Sequence, residues 1–286
     1  MYPMSDQDSP ESDSTVVQRQ MDWARRAASF ARDAAPRTRP FAAALVELAG
    51  VQAGDRVLDI ATGSGVVAVE AALRVGPGGS VLATDLVPEW EPFIAETAQE
   101  AGVANVLFQA TPSESLALPD ASFDVALNQF GLMFADEPVV AMREMHRVLR
   151  PGGKAGIAVW STLEKLGVFL LTRVVSGELP PAPPAPGHTP WRLGEPGLIE
   201  SLMADAGFQD VRVVPTTLAF EVSDPHREWA NWRENVQGPV AQALQDLPEE
   251  RQHQIEERAL AALDALREED GVIRVASEAL LVTATR

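Results

Sequence analysis

Five short runs, residues 56–60, 80–84, 106–109, 123–127 and 154–160, are largely apolar, as strands covered on both faces must be. Between them the apolar positions recur at helical spacing. Residues 40–49 set Phe41, Ala44, Leu45 and Leu48 on one side, with Gly50 as the stop, and residues 66–74 form a helix of small residues. Phe93, Ile94, Thr97, Ala98 and Ala101 line a helix that Pro88 opens and Gly102 closes. Residues 136–149 form another, broken by Arg150-Pro151-Gly152-Gly153. Upstream, residues 16–35 are helical, with Trp23, Ala27 and Phe30 on one face. Strands and helices alternating at this spacing predict an α/β fold, a parallel sheet wound on both faces.

The last third changes character. Residues 163–176 read as a helix, and residues 180–190 then contain six prolines, too many for regular structure. A helix carrying Leu198, Ile199 and Leu202 follows, then a strand marked by Val211, Val213, Leu218, Phe220 and Val222. Residues 228–266 are acidic and helical, with Ile255, Ala259, Leu263 and Leu266 on one stripe, and residues 272–285 close the chain as a strand. The prolines are therefore expected to form a stiff loop near a pocket mouth, and the helices between the last two strands a cover. The expected organisation is a disordered acidic tail, residues 1–15, and a single domain, residues 16–286. Within it, segments 161–195 and 225–270 cover the substrate.

Composition narrows the chemistry. The 286 residues carry 23 Lys plus Arg against 41 Asp plus Glu, a net charge of −18, which repels nucleic-acid phosphates and anionic membranes. There is no cysteine, which excludes disulfides, thiolate nucleophiles and cysteine-held metals. No apolar run reaches membrane-spanning length, and the first residues hold no signal-peptide core, so a cytoplasmic location is expected. No metal-ligand spacing of His and carboxylates and no Gly-Lys-Ser/Thr phosphate loop is present, so no metal is expected.

The informative stretch is Val57-Leu58-Asp59-Ile60-Ala61-Thr62-Gly63-Ser64-Gly65, an apolar strand ending in an acid and a glycine turn. Gly63 and Gly65 permit a tight turn and a close ligand approach, and the helix behind them offers free N–H groups to an anion. The next strand ends in Asp85, placed to accept hydrogen bonds from both hydroxyls of a ribose. Gly63-x-Gly65-x-x-Ala68 also satisfies the permissive dinucleotide pattern. Asp59 separates the two cases, because a carboxylate repels a pyrophosphate and welcomes an ammonium. S-adenosylmethionine, with an ammonium, a carboxylate and a ribose, accounts for Asp59, the turn and Asp85 together.

This segment resembles the class I S-adenosylmethionine (SAM)-dependent methyltransferases, of the methyltransferase type 11 kind that includes the quinone-biosynthesis C-methyltransferases, with Ala61 where a glycine is more usual. Three further blocks agree in order and spacing: Leu118-Pro119-Asp120-Ala121-Ser122-Phe123-Asp124, Asn128-Gln129-Phe130-Gly131-Leu132-Met133-Phe134, and 143–153, from Arg143 to the Gly152-Gly153 pair. The matching runs from about residue 41 to residue 160. The resemblance implies a Rossmann-like, doubly wound, mainly parallel seven-stranded sheet with a helical cap inserted near the C-terminus. It implies a cofactor site of Asp59, Ala61, Gly63, Gly65, Asp85, Leu86, Trp90, Ser113, Glu114, Asn128 and Gln129. Trp90 would stack on the adenine or pack in the core. Ser113 and Glu114 fall on the adenine-reading loop, where Pro112 replaces a common aspartate. Asn128 and Gln129 would face the methyl-transfer position, holding the methionine part or the substrate. An N-terminal helix closes the pocket in such enzymes; simple packing on the domain's flank is the alternative reading of residues 16–35.

Phe130, Met133 and Phe134 read as core, and His146 as structural. His188, in the proline-rich loop with Trp191, is the one histidine offered as a pocket base. The resulting expectation is a methyltransferase moving a methyl group to O, N or C of a small, secondary-metabolite or quinone-like acceptor. Its partner is that acceptor, not nucleic acid or membrane, and a homodimer is left open. The alternatives are a SAM-site enzyme of another reaction, such as a cyclase, an NAD-dependent oxidoreductase, and a non-catalytic partner subunit.

Overall fold

The computed structural model describes residues 10–180, 189–236 and 238–286. The N-terminal part of the expected tail, residues 1–9, and most of the proline-rich segment, including His188, lie outside the described residues. Seven strands form one sheet: β1 (Arg56–Ile60), β2 (Ser80–Asp85), β3 (Val106–Ala110), β4 (Phe123–Gln129), β5 (Leu149–Trp160), β6 (Gln209–Val222) and β7 (Ile273–Thr285). Their order is β3-β2-β1-β4-β5-β7-β6. The first five pair in parallel, and β7 runs antiparallel between β5 and β6. The chain builds outward from β1 to β3 and then crosses back to β4, so a crevice opens where β1 and β4 part.

Burial explains the apolar runs. Residues 57–60 of β1 and 155–160 of β5 are buried at consecutive positions, which requires cover on both faces. α3 (Val66–Val75) buries Val67, Ala68, Ala71 and Ala72, small side chains that let it lie close to the sheet. α2 (Ala35–Leu48) packs on α3 and on β5, while α4 (Glu91–Ala101) packs beside α3 on β3. α5 (Pro138–Val148) meets α7 (Leu198–Asp205). Leu58, Leu127, Met133, Met142, Ile157 and Ile199 are fully buried at the centre. A second core holds α6 (Leu170–Glu178), α8 (Pro225–Asn235), α9 (Gly238–Gln245) and α10 (Glu249–Asp264) against the ends of β6 and β7, through Leu171, Val175, Trp229, Leu244, Ile255 and Ile273. Among the described residues no helix is long and apolar enough to cross a membrane.

Four expectations are corrected. The N-terminal helix α1 (Pro10–Ser29) begins six positions before residue 16, inside the stretch expected to be disordered. Proline at its first position suits a helix start. It continues through a π turn, Phe30–Ala34, into α2, so Pro40 lies inside a helix rather than opening one. An interior proline costs about 3 kcal/mol, which burial of Phe41, Ala42, Leu45 and Val46 on the same helix offsets. The helix expected over 163–176 is two 3-10 turns followed by α6. Gly167 there lies so close to the Ala276 carbonyl that a Cβ would overlap it, and the Val168 amide donates to Ser277 Oγ. The long acidic helix is three helices. Asp224 caps α8 through the amides of His226 and Arg227, and Pro248 stands at the N-cap of α10.

The second core yields a direct test. Ile255 is fully buried in it, so Ile255→Ala should lower the unfolding free energy by roughly 2–5 kcal/mol in urea melts, and a loss below about 1 kcal/mol would show that α10 does not pack as described.

Candidate cofactor site

β1 delivers Asp59 to the floor of the crevice, where it is 1% exposed. The Thr62 hydroxyl donates to Asp59 Oδ2 at 2.6 Å, while Oδ1 is buried with no partner. Beyond β1 the backbone is left-handed three times in five residues, at Ala61 (φ 56°), Gly63 (φ 54°) and Gly65 (φ 85°). Alternation of this kind makes the turn tight enough to start α3 at once. The space beside Gly63 is open, whereas a Cβ on Gly65 would press on Ile94 at 3.2 Å. Gly63 thus faces the crevice, while Gly65 serves the packing of α3 against α4.

Asp85, at the end of β2, closes the other side. Its Oδ2 accepts from the Gly63 amide at 3.0 Å and its Oδ1 from the Val87 amide at 3.1 Å. Burial pushes the Asp85 carboxyl up to about 6, against the pull of those amides. Burial also pushes Asp59 up to about 7, helped by the charge of Asp85 and opposed by the Thr62 hydroxyl. Two carboxylates therefore flank a glycine turn, and the described residues around them supply no cation close enough to hold either down. Such a site favours a ligand that donates hydrogen bonds or carries positive charge.

The cavity opens to solvent and has about 980 Å³ of empty space counting its open mouth. Of the residues expected to bind the cofactor, Asp59, Ala61, Gly63, Asp85, Leu86, Trp90, Ser113, Glu114 and Gln129 line it; Gly65 and Asn128 do not. Asn128 is 2% exposed. Its Nδ2 donates to the Ile60 carbonyl at 3.0 Å and its Oδ1 accepts from the Leu132 amide at 2.9 Å, so it braces β1 against the turn after β4. Gln129, one residue on, reaches the cavity. Glu114 accepts from the Glu137 amide at 3.0 Å, which commits that oxygen to the start of α5. Trp90 lines the cavity and is buried against Phe30 and Phe93.

Several lining residues were not foreseen. Phe130 and Phe134, expected in the core, line the cavity, while Met133 is fully buried as expected. α1 lies over the mouth with Arg19 and Trp23, followed by Phe30 in the π turn and Thr38 on α2. Arg19 donates to the Phe134 carbonyl at 2.7 Å and to Asp136 at 2.9 Å, and Gln20 donates to the Leu86 carbonyl at 3.3 Å. Trp23 meets Phe134 edge-on, with centroids 5.2 Å apart. Of the two readings of this helix, cover over the pocket is the one observed. The spacing of Trp23 and Phe30 was its only signal in the sequence. His146 packs edge-on against Phe208 at 5.1 Å, away from the cavity, and burial lowers its pKa. Trp191 packs on Phe169. Among the described residues no group of three or more His, Asp or Glu is arranged to hold a metal.

Comparison with known proteins agrees with this geometry. A family model described as a methyltransferase domain matches residues 58–157, and another, for an RMKL-like methyltransferase domain, matches residues 26–77. An uncharacterized protein of Mycobacterium tuberculosis is 30% identical over 253 residues, 86% of this chain and 87% of its own length. The ubiquinone/menaquinone biosynthesis C-methyltransferase of Bdellovibrio bacteriovorus is 42% identical over 110 residues, 38% of this chain and 46% of its own. Among solved structures, the YcgJ protein of Bacillus subtilis shares the fold with a TM-score of 0.56 at 21% identity, covering 86% of this chain and 98% of that one.

The turn can be tested apart from any ligand. A Cβ on Gly131 would overlap the Ala61 Cβ, so Gly131→Ala should be strongly destabilising and Ala61→Gly should recover part of the loss. Alone, Ala61→Gly relieves a left-handed alanine worth roughly 1–2 kcal/mol and costs roughly 0.5–1 kcal/mol in chain entropy, a small net gain. Denaturant melts of the two single variants and the double variant decide the matter, and strict additivity would mean that the two positions do not meet.

Proposed function

Because this chain belongs to the class I SAM-dependent methyltransferase family, we propose that it binds SAM in the crevice between β1, β2 and β4 and methylates an O, N or C atom of a small-molecule acceptor. The observation that carries the reading is the pair of buried carboxylates, Asp59 and Asp85, lining the cavity on either side of the glycine turn, with Asp59 Oδ1 lacking a hydrogen bond. The residues fit the cofactor. Asp59 Oδ1 takes the ammonium, and Asp85 takes the ribose hydroxyls. The N-terminus of α3 takes the carboxylate, and Leu86, Trp90 and Ser113 enclose the adenine. A pyrophosphate has no donor for Oδ1 and is repelled by it, which argues against a dinucleotide. When bound, the cofactor supplies a methyl group already activated by a sulfonium. The chain's own work is then alignment and exclusion of water. The aromatic side chains of α1 and its π turn shut the mouth, and Gln129, Phe130 and Thr38 shape the methyl end. Residues 16–286 act as one domain on this reading, and segments 161–195 and 225–270 cover the acceptor. The net charge of −18 supports an acceptor other than nucleic acid.

Calorimetric titration with S-adenosylhomocysteine, with NAD as the control, tests the proposal. Binding of the former alone is expected, and Asp85→Ala should weaken it by roughly 100-fold, since two hydrogen bonds to a charged group are lost. Unchanged affinity in that variant, or binding of NAD instead, would overturn the reading.

The two raised carboxyls also set a pH dependence. A carboxyl whose folded pKa lies above its unfolded value contributes stability that is complete below about pH 4 and is lost as pH rises through the folded pKa. The ligand-free protein should therefore lose stability as pH rises from about 4 to about 6 and 7, the folded values of Asp85 and Asp59, and level off above them. An ammonium ligand prefers ionised Asp59, so S-adenosylhomocysteine affinity should rise about tenfold from about pH 5.5 to about pH 7.5. Asp59→Asn should flatten both profiles. Titration at three pH values and thermal melts check this, and a flat wild-type profile would count against an ammonium at Asp59.

A further inference from the structure

We propose that Gln129 determines specificity at the methyl end of the pocket, selecting acceptors that present an O–H or N–H on an apolar body. The inference rests on the methyl-transfer reading above. Gln129 is the last residue of β4, and its Nε2 donates to the Thr38 carbonyl on α2 at 3.4 Å. A carbonyl can only accept, so this contact fixes the orientation of the amide, with nitrogen towards α2 and oxygen left over. That oxygen, Oε1, is buried and has no partner, although the residue lines the cavity. The neighbouring amide, Asn128, has both ends satisfied by the backbone. A buried carbonyl oxygen without a donor is costly and rare. The missing donor therefore belongs to a ligand.

The cofactor is a poor source of it. Asp59 and Asp85 take its ammonium and ribose hydroxyls, and its carboxylate is an acceptor that would repel Oε1. The acceptor molecule is left. Its body meets aromatic walls at this end. Phe130 is held at φ 55°, its ring stacked on Trp160 with centroids 3.9 Å apart and planes 12° from parallel. Phe134 and Trp23 line the same cavity and meet edge to face. A bulky residue keeps a left-handed backbone only where its surroundings impose it, so the ring is fixed in place as part of the wall. An amide is not a base at neutral pH. Gln129 therefore orients a lone pair towards the methyl position by holding the hydrogen on the same atom or a neighbouring one, and takes no proton itself.

Three probes of nearly equal shape test this: phenol, aniline and toluene, measured by ligand-observed NMR on protein saturated with S-adenosylhomocysteine. Phenol and aniline should bind about tenfold more tightly than toluene. In Gln129→Met the preference should vanish while S-adenosylhomocysteine affinity stays within about twofold; in Gln129→Glu, which keeps an acceptor oxygen, it should persist. The proposal is overturned if toluene binds as well as phenol, if none of the three binds, or if the preference survives in Gln129→Met. A large loss of S-adenosylhomocysteine affinity in Gln129→Met would assign Oε1 to the cofactor and equally sink it. Failure of the wild-type protein to bind S-adenosylhomocysteine would remove the methyl-transfer reading itself, a result distinct from all of these.

Discussion

Burying Asp59 and Asp85 side by side, with no cation among the described residues placed to offset either charge, is the constraint around which the crevice is arranged. The parallel register of β1 and β2 pairs Asp59 with Ala83 and Ile60 with Thr84, so the two carboxylates emerge one turn apart at the same edge of the sheet. Each would be driven to the neutral form by burial alone. The intervening turn answers part of that cost. The Gly63 amide points at Asp85, the Thr62 hydroxyl at Asp59, and the Thr62 amide at the Thr84 carbonyl. Holding those donors requires left-handed backbone at Ala61, where a side chain resists it. Such strain persists only because Asn128 and the buried strands on either side fix the ends of the turn. What remains unsatisfied, Asp59 Oδ1, is where a cationic ligand gains most.

The same economy appears in the walls of the cavity. Its lower half comes from strand ends and short turns, which the sheet holds rigidly. Its upper half comes from helices that reach it from far along the chain. Arg19 spans 115 positions to the Phe134 carbonyl. Arg37, next to the lining residue Thr38, makes a two-point ion pair with Glu228 at 2.9 and 2.6 Å, tying α2 to the helices inserted between β6 and β7. Those helices have a core of their own, so they form a packed body joined to the sheet through α6 and the strand ends rather than a loose flap.

What could be read from the sequence follows the range of the interactions involved. The inner strands were legible within a residue or two because burial on both faces leaves a continuous apolar run, visible without knowing its neighbours. The chief exception is β5, whose pairing reaches back through the Arg150–Gly153 turn to Leu149. Asp59, Gly63 and Asp85 were legible because a glycine turn between two acid-ended strands is local chemistry. The ends of the peripheral helices were not. Whether Pro40 breaks a helix depends on how much apolar surface the flanking residues bury, and whether residue 163 starts one depends on how closely Gly167 approaches β7.

The sequence by itself determined the sheet, the turn and the acidic residues that line the cavity, since these rest on periodicity and on conformations that few residue types adopt. Tertiary structure alone decided which side chains of those elements reach the cavity. Asn128 and Gln129 are neighbours of similar chemistry, yet side chains alternate across a strand. One is spent bracing Ile60 and Leu132 while the other turns an unpartnered oxygen inward. Arg19, Trp23 and Phe134 became site residues only when α1 folded across the sheet's edge, and no local pattern encodes a contact made over more than a hundred residues.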